Sequence, residues 1–167
     1  MNLAEFLQKM FGHGIKKTRK EDEFLKCKGS MILTLKKANG DISVTRKDNL
    51  ILNVGFDHIC NSIGATASRP AVMGFTALGT GTTAAAASQT TLVTELARKA
   101  AAYSHAAGTK VMTFTTNFAA GEATGAITEA GICNASTGGI FLDRVTFAVI
   151  NKAADDEVTT TFQFTLS

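Results

Sequence analysis

The stretch EVTTTFQFTL at residues 157–166 decides the fold class of this chain. From residue 158 onward, every second position is large and apolar apart from one threonine, and threonine or glutamine stands between. A period of two places alternate side chains on opposite faces of an extended strand, so the stretch predicts a strand with one buried face. We expect the following residues to share one core: Val158, Phe162, Phe164 and Leu166 with Phe114, Phe118 and Phe147.

Further strands are predicted on the N-terminal side of this stretch. Residues 31–37 and 41–46 both alternate, and Asn39-Gly40 between them has the composition of a two-residue hairpin turn. Strand-like segments follow at residues 50–54, 72–78, 100–106, 110–118, 124–133 and 140–149, residues 91–97 fit a strand or a short helix, and Phe56, Ile59, Cys60 and Ile63 have helical spacing. About eight strands predict a mainly β fold, an antiparallel β-sandwich or jelly roll with an N-terminal helical arm.

Length and composition limit the class of protein. The 167 residues correspond to about one domain, and 45% hydrophobic with 19% charged residues is typical of a globular chain and not of a disordered one. No run of 18 apolar residues occurs, and Glu5 and Lys9 interrupt the first apolar stretch, which argues against a membrane span and a secretory signal. We therefore expect an arm at residues 1–28, one β domain at residues 29–167, and no membrane partner.

The predicted arm differs from the rest of the chain in pattern and charge. A stripe with helical spacing consists of Leu3, Phe6, Leu7, Met10 and Phe11. A basic cluster of Lys16, Lys17, Arg19 and Lys20 follows, with Glu21-Asp22-Glu23 directly after it. Nine Lys or Arg against four Asp or Glu give residues 1–40 a net charge of +5, whereas eight against ten give the remainder −2. The stripe and the basic cluster are the predicted partner-binding residues.

The apolar stripe needs a surface on which to pack. Burying five large apolar side chains contributes roughly 7–15 kcal/mol at about 1.5–3 each. Ordering about nine backbone residues costs roughly 9–18 kcal/mol at about 1–2 each. Because the two terms nearly cancel, an isolated arm is marginal, and we expect it to dock on a neighbouring protein chain. Packing on its own domain and insertion into a membrane surface are the alternatives.

No constellation of catalytic or metal-binding residues is recognisable in the sequence. The cysteines are Cys27, Cys60 and Cys133, and the histidines are His13, His58 and His105. The cysteines form no pair at metal-ligand spacing and are expected to be buried and reduced, and each histidine is isolated from such partners. Nucleophile-elbow, zinc-protease and phosphate-loop motifs are missing. We therefore predict no enzyme activity, no metal and no cofactor.

Three weaker hypotheses involve charged residues. Glu122 and Glu129 could act as paired carboxylates, but two glutamates in neighbouring strands are common in β domains. The acidic run 155–157 could bind calcium loosely, although a solvated hairpin tip explains it better. The basic cluster lacks interleaved aromatic residues and is followed by acids, which disfavours nucleic acid as a partner.

An ordered set of short motifs begins at residue 79. The set comprises Gly79-Thr80-Gly81-Thr82-Thr83-Ala84, Thr91-Leu92-Val93-Thr94-Glu95-Leu96-Ala97-Arg98, residues 118–132 (FAAGEATGAITEAGI), Gly138-Gly139, Leu142-Asp143-Arg144 and Asn151-Lys152. In this order it resembles a β domain found in tailed-bacteriophage virion proteins, in head decoration and in tail or fibre attachment parts. The resemblance covers a little over half of the chain. It implies a virion structural protein without an active site, since the shared positions look like turn and framework residues.

The resemblance, the single domain and the arm together lead to a functional prediction. We expect a capsid decoration (cement) protein that stabilises the major-capsid shell through its β domain and arm. Its partners would be the major capsid protein or neighbouring virion proteins, and it would act as a homo-oligomer or in many copies, in a virion assembled in the host cytoplasm. A tail, collar or fibre-anchoring virion protein is the first alternative. A carbohydrate-binding module is the second, weakened because Trp is absent and Tyr103 is the single tyrosine.

Overall fold

A computed structural model describes residues 25–167 of the chain. In this range the elements are β1 (Cys27–Lys36), β2 (Ile42–Ile51), α1 (Asn53–Gly64), β3 (Phe75–Gly79), β4 (Glu95–Ala100), β5 (Ala102–His105), β6 (Val111–Phe118), β7 (Gly125–Cys133), β8 (Asp143–Lys152) and β9 (Glu157–Leu166). The predicted mainly β, antiparallel architecture is confirmed, with nine strands where about eight were expected. The arm's apolar stripe and basic cluster lie outside the described residues. β1 begins two residues before the expected boundary at residue 29.

The nine described strands pair in one antiparallel series, β4-β3-β7-β8-β2-β1-β9-β6-β5. Strands β2, β1, β9, β6 and β5 form a five-strand segment, in which ten residue pairs join β1 to β9. Strands β4, β3, β7 and β8 form a four-strand segment. Two residue pairs of β2 with β8, Leu50–Arg144 and Ile51–Asp143, link the segments. Because β4 also approaches β6, the series nearly closes on itself.

The main core lies between the two segments of the sheet. It includes six of the seven residues predicted to share it: Val158, Phe162, Phe164, Phe114, Phe118 and Phe147. Phe162 and Phe164 are completely buried, and their rings stack at a centroid distance of 6.5 Å. Leu166, at the end of β9, is only half-buried. The alternation in the C-terminal strand therefore predicted the buried face correctly, apart from the last residue.

The β1–β2 hairpin is present, but its turn is not the two-residue turn that Asn39-Gly40 predicted. Gly40 donates its N–H to the carbonyl of Lys37 at 2.9 Å, and Lys37 donates to the carbonyl of Asp41 at 2.8 Å, so three residues separate the closing pair. Gly40 has a φ of +93°, whereas Asn39 does not have positive φ. A two-residue type I′ turn requires positive φ at both central residues. The Asn39 side chain instead accepts a hydrogen bond from the N–H of Asp41 at 3.0 Å, which stabilises the longer turn.

The chain after the hairpin forms one strand and one helix. β2 continues without a break to Ile51, so the separate strand predicted at residues 50–54 is wrong. The helical spacing predicted from residue 56 onward is confirmed by α1. At Gly55 the helix lies so close to the backbone of Leu142 that a Cβ would collide with the Leu142 carbonyl. This close approach places α1 across one end of the core, beside the start of β8.

Candidate functional site

A fully buried ion pair joins the four-strand segment to the long connection between β3 and β4. Arg144 donates from Nε to Glu129 Oε2 at 2.8 Å, and both side chains are 0% exposed. Glu129 lies on β7 and Arg144 on β8, so the pairing of these neighbouring strands brings the two side chains together. A buried charge is tolerated only when it is paired and hydrogen-bonded. The remaining polar groups around this pair show how that condition is met.

Both members of the pair also bind the connection at residues 80–94. Glu129 accepts backbone N–H groups from Gly81 at 3.0 Å, Val93 at 3.1 Å and Thr94 at 2.8 Å. Arg144 donates to the Thr83 carbonyl and to Gln89 Oε1, each at 2.8 Å. A Cβ at Gly81 would collide with the Glu129 carboxylate, which explains the glycine at this position. The pair therefore anchors a connection that has no regular secondary structure.

The protonation state of Glu129 follows from these contacts. Burial raises the pKa of a carboxyl group, but the three backbone N–H donors and Arg144 outweigh this effect and lower the pKa of Glu129 below its ordinary value. Glu129 is therefore ionised at neutral pH and balances the charge of Arg144.

A second cluster around Arg98 fixes the loop between β7 and β8. Arg98 Nη1 donates to the carbonyls of Ala135 and Gly138, each at 2.7 Å, and its other nitrogens bind the carboxylate of Glu95. Its guanidinium carbon also lies 5.1 Å from the ring centroid of Phe141, in cation–π geometry. Both clusters consist largely of residues from the ordered motifs that begin at residue 79. Within the described residues, these motif positions hold loops onto the sheet.

The acidic residues considered for catalysis or calcium binding have other partners in the structure. Glu122 binds Lys99 at 2.5 Å and Glu129 binds Arg144, so the two glutamates have separate partners. Asp156, the middle residue of the acidic run proposed for calcium, instead accepts the backbone N–H groups of Ala38 and Ala153. Within residues 25–167, no group of three or more His, Cys, Asp or Glu side chains is placed to hold a metal ion. In the same range, no helix is both long and apolar enough to cross a membrane.

Asp143 is another buried carboxyl group, at the start of β8. Its Oδ1 accepts the N–H of Ile132 at 2.9 Å, whereas its buried Oδ2 has no hydrogen-bond partner among the described residues. Burial without a compensating cation raises the pKa of Asp143 to about 8. Asp143 is therefore mostly protonated at neutral pH, in contrast to Glu129.

We expect Asp143 to make the protein less stable as the pH rises. An aspartate in the unfolded chain ionises near pH 3.9, whereas folded Asp143 keeps its proton up to about pH 8. Between these values the folded state binds more protons, so its stability decreases with increasing pH. Asp143→Asn, an uncharged mimic of the protonated acid, should gain stability relative to the parent between pH 5 and pH 8 in urea unfolding. An equal stability difference at both pH values would contradict the prediction.

The three cysteines have different environments. Cys133 is buried, and burial raises the pKa of its thiol to about 11. Cys27 is half-buried, and Cys60 is exposed on α1. The expectation that all three are buried is therefore wrong for Cys60, because it lies on the side of the helix that faces away from the core. All three thiols are free.

An apolar groove of about 510 Å³ lies between α1 and the β5–β6 end of the five-strand segment. Its apolar walls include Ile59, Ile63, Val72, Met73, Tyr103 and Met112. Ile63 and Val72 are 75% and 81% exposed, which is unusual for large apolar side chains that share one groove. His58 also lines the groove, is 6% exposed, and has a buried Nδ1 without a partner among the described residues. Burial lowers the pKa of His58, so its ring is neutral at neutral pH.

The outer surface of the five-strand segment carries a grid of nine uncharged side chains. We name it the threonine face; its members are Ser30, Ile32 and Thr34 on β1, Thr159, Thr161 and Gln163 on β9, and Thr113, Thr115 and Asn117 on β6. The strand register places these residues side by side in three rows of three. Three adjacent strands with alternate residues outward span roughly 10 by 14 Å. The face consists of serine, isoleucine, threonine and amide side chains and carries no charge.

The predicted partner-binding residues at positions 3–20 lie outside the described residues, so the groove and the threonine face are additional candidates. The alternation of residues 159–165 already placed three members of the face on one side of a strand. The groove has no comparable signal in the sequence, because its walls come from α1, the chain before β3, β5, β6 and the residue before β8.

No family model matches the chain, and no curated protein or solved structure is significantly similar to it.

Proposed function

We propose that the chain is a non-enzymatic structural protein of a bacteriophage virion, a capsid decoration (cement) protein that binds the major-capsid shell. The resemblance of the motifs from residue 79 onward supports a virion role. The clusters around Glu129 and Arg98 agree with that resemblance, because residues of these motifs bind loops to the sheet. The same role includes the N-terminal arm as a second contact with neighbouring virion proteins.

The single observation that carries the proposal is the threonine face. Its nine side chains carry no charge, and they occupy the middle of the five-strand segment, away from the core. Specific interfaces exclude charge from their centres and place polar groups at the rim. Arg46 and Asp48 border the face on β2, opposite Ile32 and Ser30 of β1, and would form such a rim. A charge-poor sheet face with a charged rim suits docking on a protein shell.

We also propose a finer description of the fold. The two sheet segments act as the two layers of a jelly-roll type of β-sandwich, with the helical arm attached before β1. The position of the core between the segments supports this description, as does the short link of two residue pairs between β2 and β8.

Mass action explains how such a protein would stabilise a shell. A protein that binds the assembled shell and not its separate subunits shifts the equilibrium toward the assembled state. Many copies multiply a small gain from each contact, and an arm linked to the face raises the effective concentration of the second contact. Neither contact then needs to be strong by itself.

Electron microscopy of particles purified from host cells that produce a tagged copy of this chain tests the proposal. Label distributed over the head is the expected result. Label at one level of the tail or neck would instead assign the chain to a tail, collar or fibre anchor. Particles without label would overturn the virion role, and specific retention on a glycan column would then favour a carbohydrate-binding module.

Thr161→Glu should weaken retention on the particle, because it buries a charge at the centre of the threonine face. A charge in an interface core typically reduces affinity at least about tenfold. Thr82→Glu is the matched control, since Thr82 is exposed in the connection between β3 and β4. Bound and free protein are quantified after sedimentation of the particles. Equal retention of the two variants would show that another surface carries the contact.

Deletion of residues 1–14 should leave the β domain folded but sharply weaken retention on the particle. The deletion removes the apolar stripe and none of the core residues between Met31 and Phe164. Phe6→Asp with Met10→Asp should have the same effect by placing two charges in an apolar contact. Gln8→Asp, outside the stripe, is the matched control. If the truncated chain unfolds, the arm belongs to its own core, and if it binds like the full chain, the arm is not an anchor.

A further inference from the structure

The apolar groove beside α1 exposes large apolar side chains that another segment could cover. Its large apolar wall residues come from α1, the chain before β3, β5, β6 and the residue before β8, which are far apart in sequence, and Ile63 and Val72 at its rim are mostly exposed. The exposed ring of Tyr103 packs on the buried ring of Phe114 at a centroid distance of 5.3 Å. The buried Nδ1 of His58 has no partner within residues 25–167. An occupant would therefore cover mainly apolar surface.

The chain outside the described residues starts beside this groove. Lys26 exchanges backbone hydrogen bonds with Ser167 at 2.7 and 3.0 Å, and Leu166 donates its N–H to Lys110 at 2.9 Å. β9 therefore separates the start of β1 from the start of β6, a distance of two strand spacings or about 10 Å. Met112, a wall residue of the groove, follows Lys110 by two positions on β6.

The length of the preceding chain allows it to reach the groove. Residues 12–24 connect the predicted apolar stripe to Leu25, and these thirteen residues span up to roughly 43–47 Å when extended. A helix of nine residues, such as the one predicted at residues 3–11, is about 13 Å long. The linker is thus several times longer than the distance that it must cover.

We propose that the groove binds residues 3–11 of the same chain in the free protein. The stripe supplies five large apolar side chains, and the groove supplies an uncharged apolar surface, because His58 is neutral. A linker of thirteen residues gives an attached segment an effective concentration of about a millimolar, which a second copy at micromolar concentration does not match. The arm therefore covers its own groove first. A shell or a neighbouring copy that offers a larger apolar surface then competes for the same segment.

Paired cysteines in the full-length chain test this contact. The chain carries Cys60→Ser and Cys27→Ser, with Met10→Cys in the arm and Ser62→Cys in the groove wall. The reference pair combines Met10→Cys with Gln163→Cys on the threonine face. At micromolar protein, a short bismaleimide reagent should link residues 10 and 62 within one chain roughly 10²-fold more efficiently than chains are linked to each other. Gel mobility and peptide mass mapping separate the two products.

A matched pair of substitutions makes the result specific to the groove. Ile63 and Ile42 are both exposed isoleucines, 75% and 66% respectively, but only Ile63 lines the groove. Ile63→Asp should abolish the link within the chain, whereas Ile42→Asp should leave it unchanged. Links mainly between chains would overturn the proposal in favour of a second copy as the occupant. Equal linking to residues 62 and 163 would overturn it in favour of an external partner. No particle is involved, so the result is independent of the proposed virion role.

Discussion

Glu129→Ala is expected to lower the free energy of unfolding by at least about 3–5 kcal/mol, because it leaves the buried Arg144 without its counter-charge. The same change removes the acceptor of three backbone N–H groups, those of Gly81, Val93 and Thr94. Of these three, the N–H of Gly81 is buried, and leaving a buried donor unpaired costs about 1–3 kcal/mol. Since domains of this size are stable by about 5–15 kcal/mol, the variant should be close to unfolded at 25 °C. Urea unfolding followed by circular dichroism measures the loss.

A milder variant and a matched control keep this prediction testable. Glu129→Gln keeps an oxygen acceptor in the same place but removes the charge, so it should fold and still lose a large part of the stability. Glu122→Ala removes the exposed ion pair with Lys99 and should cost much less, since solvent screens exposed charges. Losses below about 1 kcal/mol for both Glu129 variants would show that the buried pair contributes little to stability.

Phe162→Ala is expected to cost about 3–5 kcal/mol, the typical loss when a buried aromatic side chain leaves a cavity. Phe162 is completely buried in the main core, at the middle of β9, with β1 on one side and β6 on the other. Met31 and Phe114 face it across these two strands, so the cavity would open between three strands and could not close without moving all of them.

The residue next to Phe162 provides the control. Thr161→Ala changes the opposite face of the same strand and should alter the free energy of unfolding by about 0.5 kcal/mol or less. Both variants are compared by chemical denaturation with the midpoint and slope fitted separately. A loss below about 1 kcal/mol for Phe162→Ala would mean that β9 is peripheral to the core.

The proposed contact between arm and groove has a consequence for assembly. An apolar stripe that is free in solution would promote association between copies. Binding of the stripe to the groove of the same chain would keep the free protein monomeric until a shell offers more apolar surface. The exchange requires only that the shell binds the arm more tightly than the groove does, since a ligand shifts an equilibrium by its differential affinity.

The spacing of apolar residues along the sequence was sufficient to predict individual strands and the helix. The alternation at residues 157–166 identified β9 and its buried face, and the spacing from Phe56 to Ile63 identified α1. The turn at Asn39-Gly40 was predicted one residue too short, because a side-chain hydrogen bond from Asp41 N–H to Asn39 favours a three-residue loop. The sequence predicted a buried Cys60, and this was wrong. The orientation of α1 on the core decides which face of the helix is exposed, and Cys60 lies on the exposed face.

The sequence by itself determined that this protein is a β domain with an apolar stripe and a basic cluster near its N-terminus. Periods of 2 and 3.6 follow from backbone geometry, so they can be recognised without any knowledge of the fold. Only the tertiary structure decided that Glu129 pairs with Arg144 and that Asp143 stays protonated. Hydrogen-bond partners and desolvation depend on side chains distant in sequence, and the connection at residues 80–94 is brought to Glu129 by the folded sheet. For the same reason, the groove beside α1 exists only once five separate segments of the chain have come together.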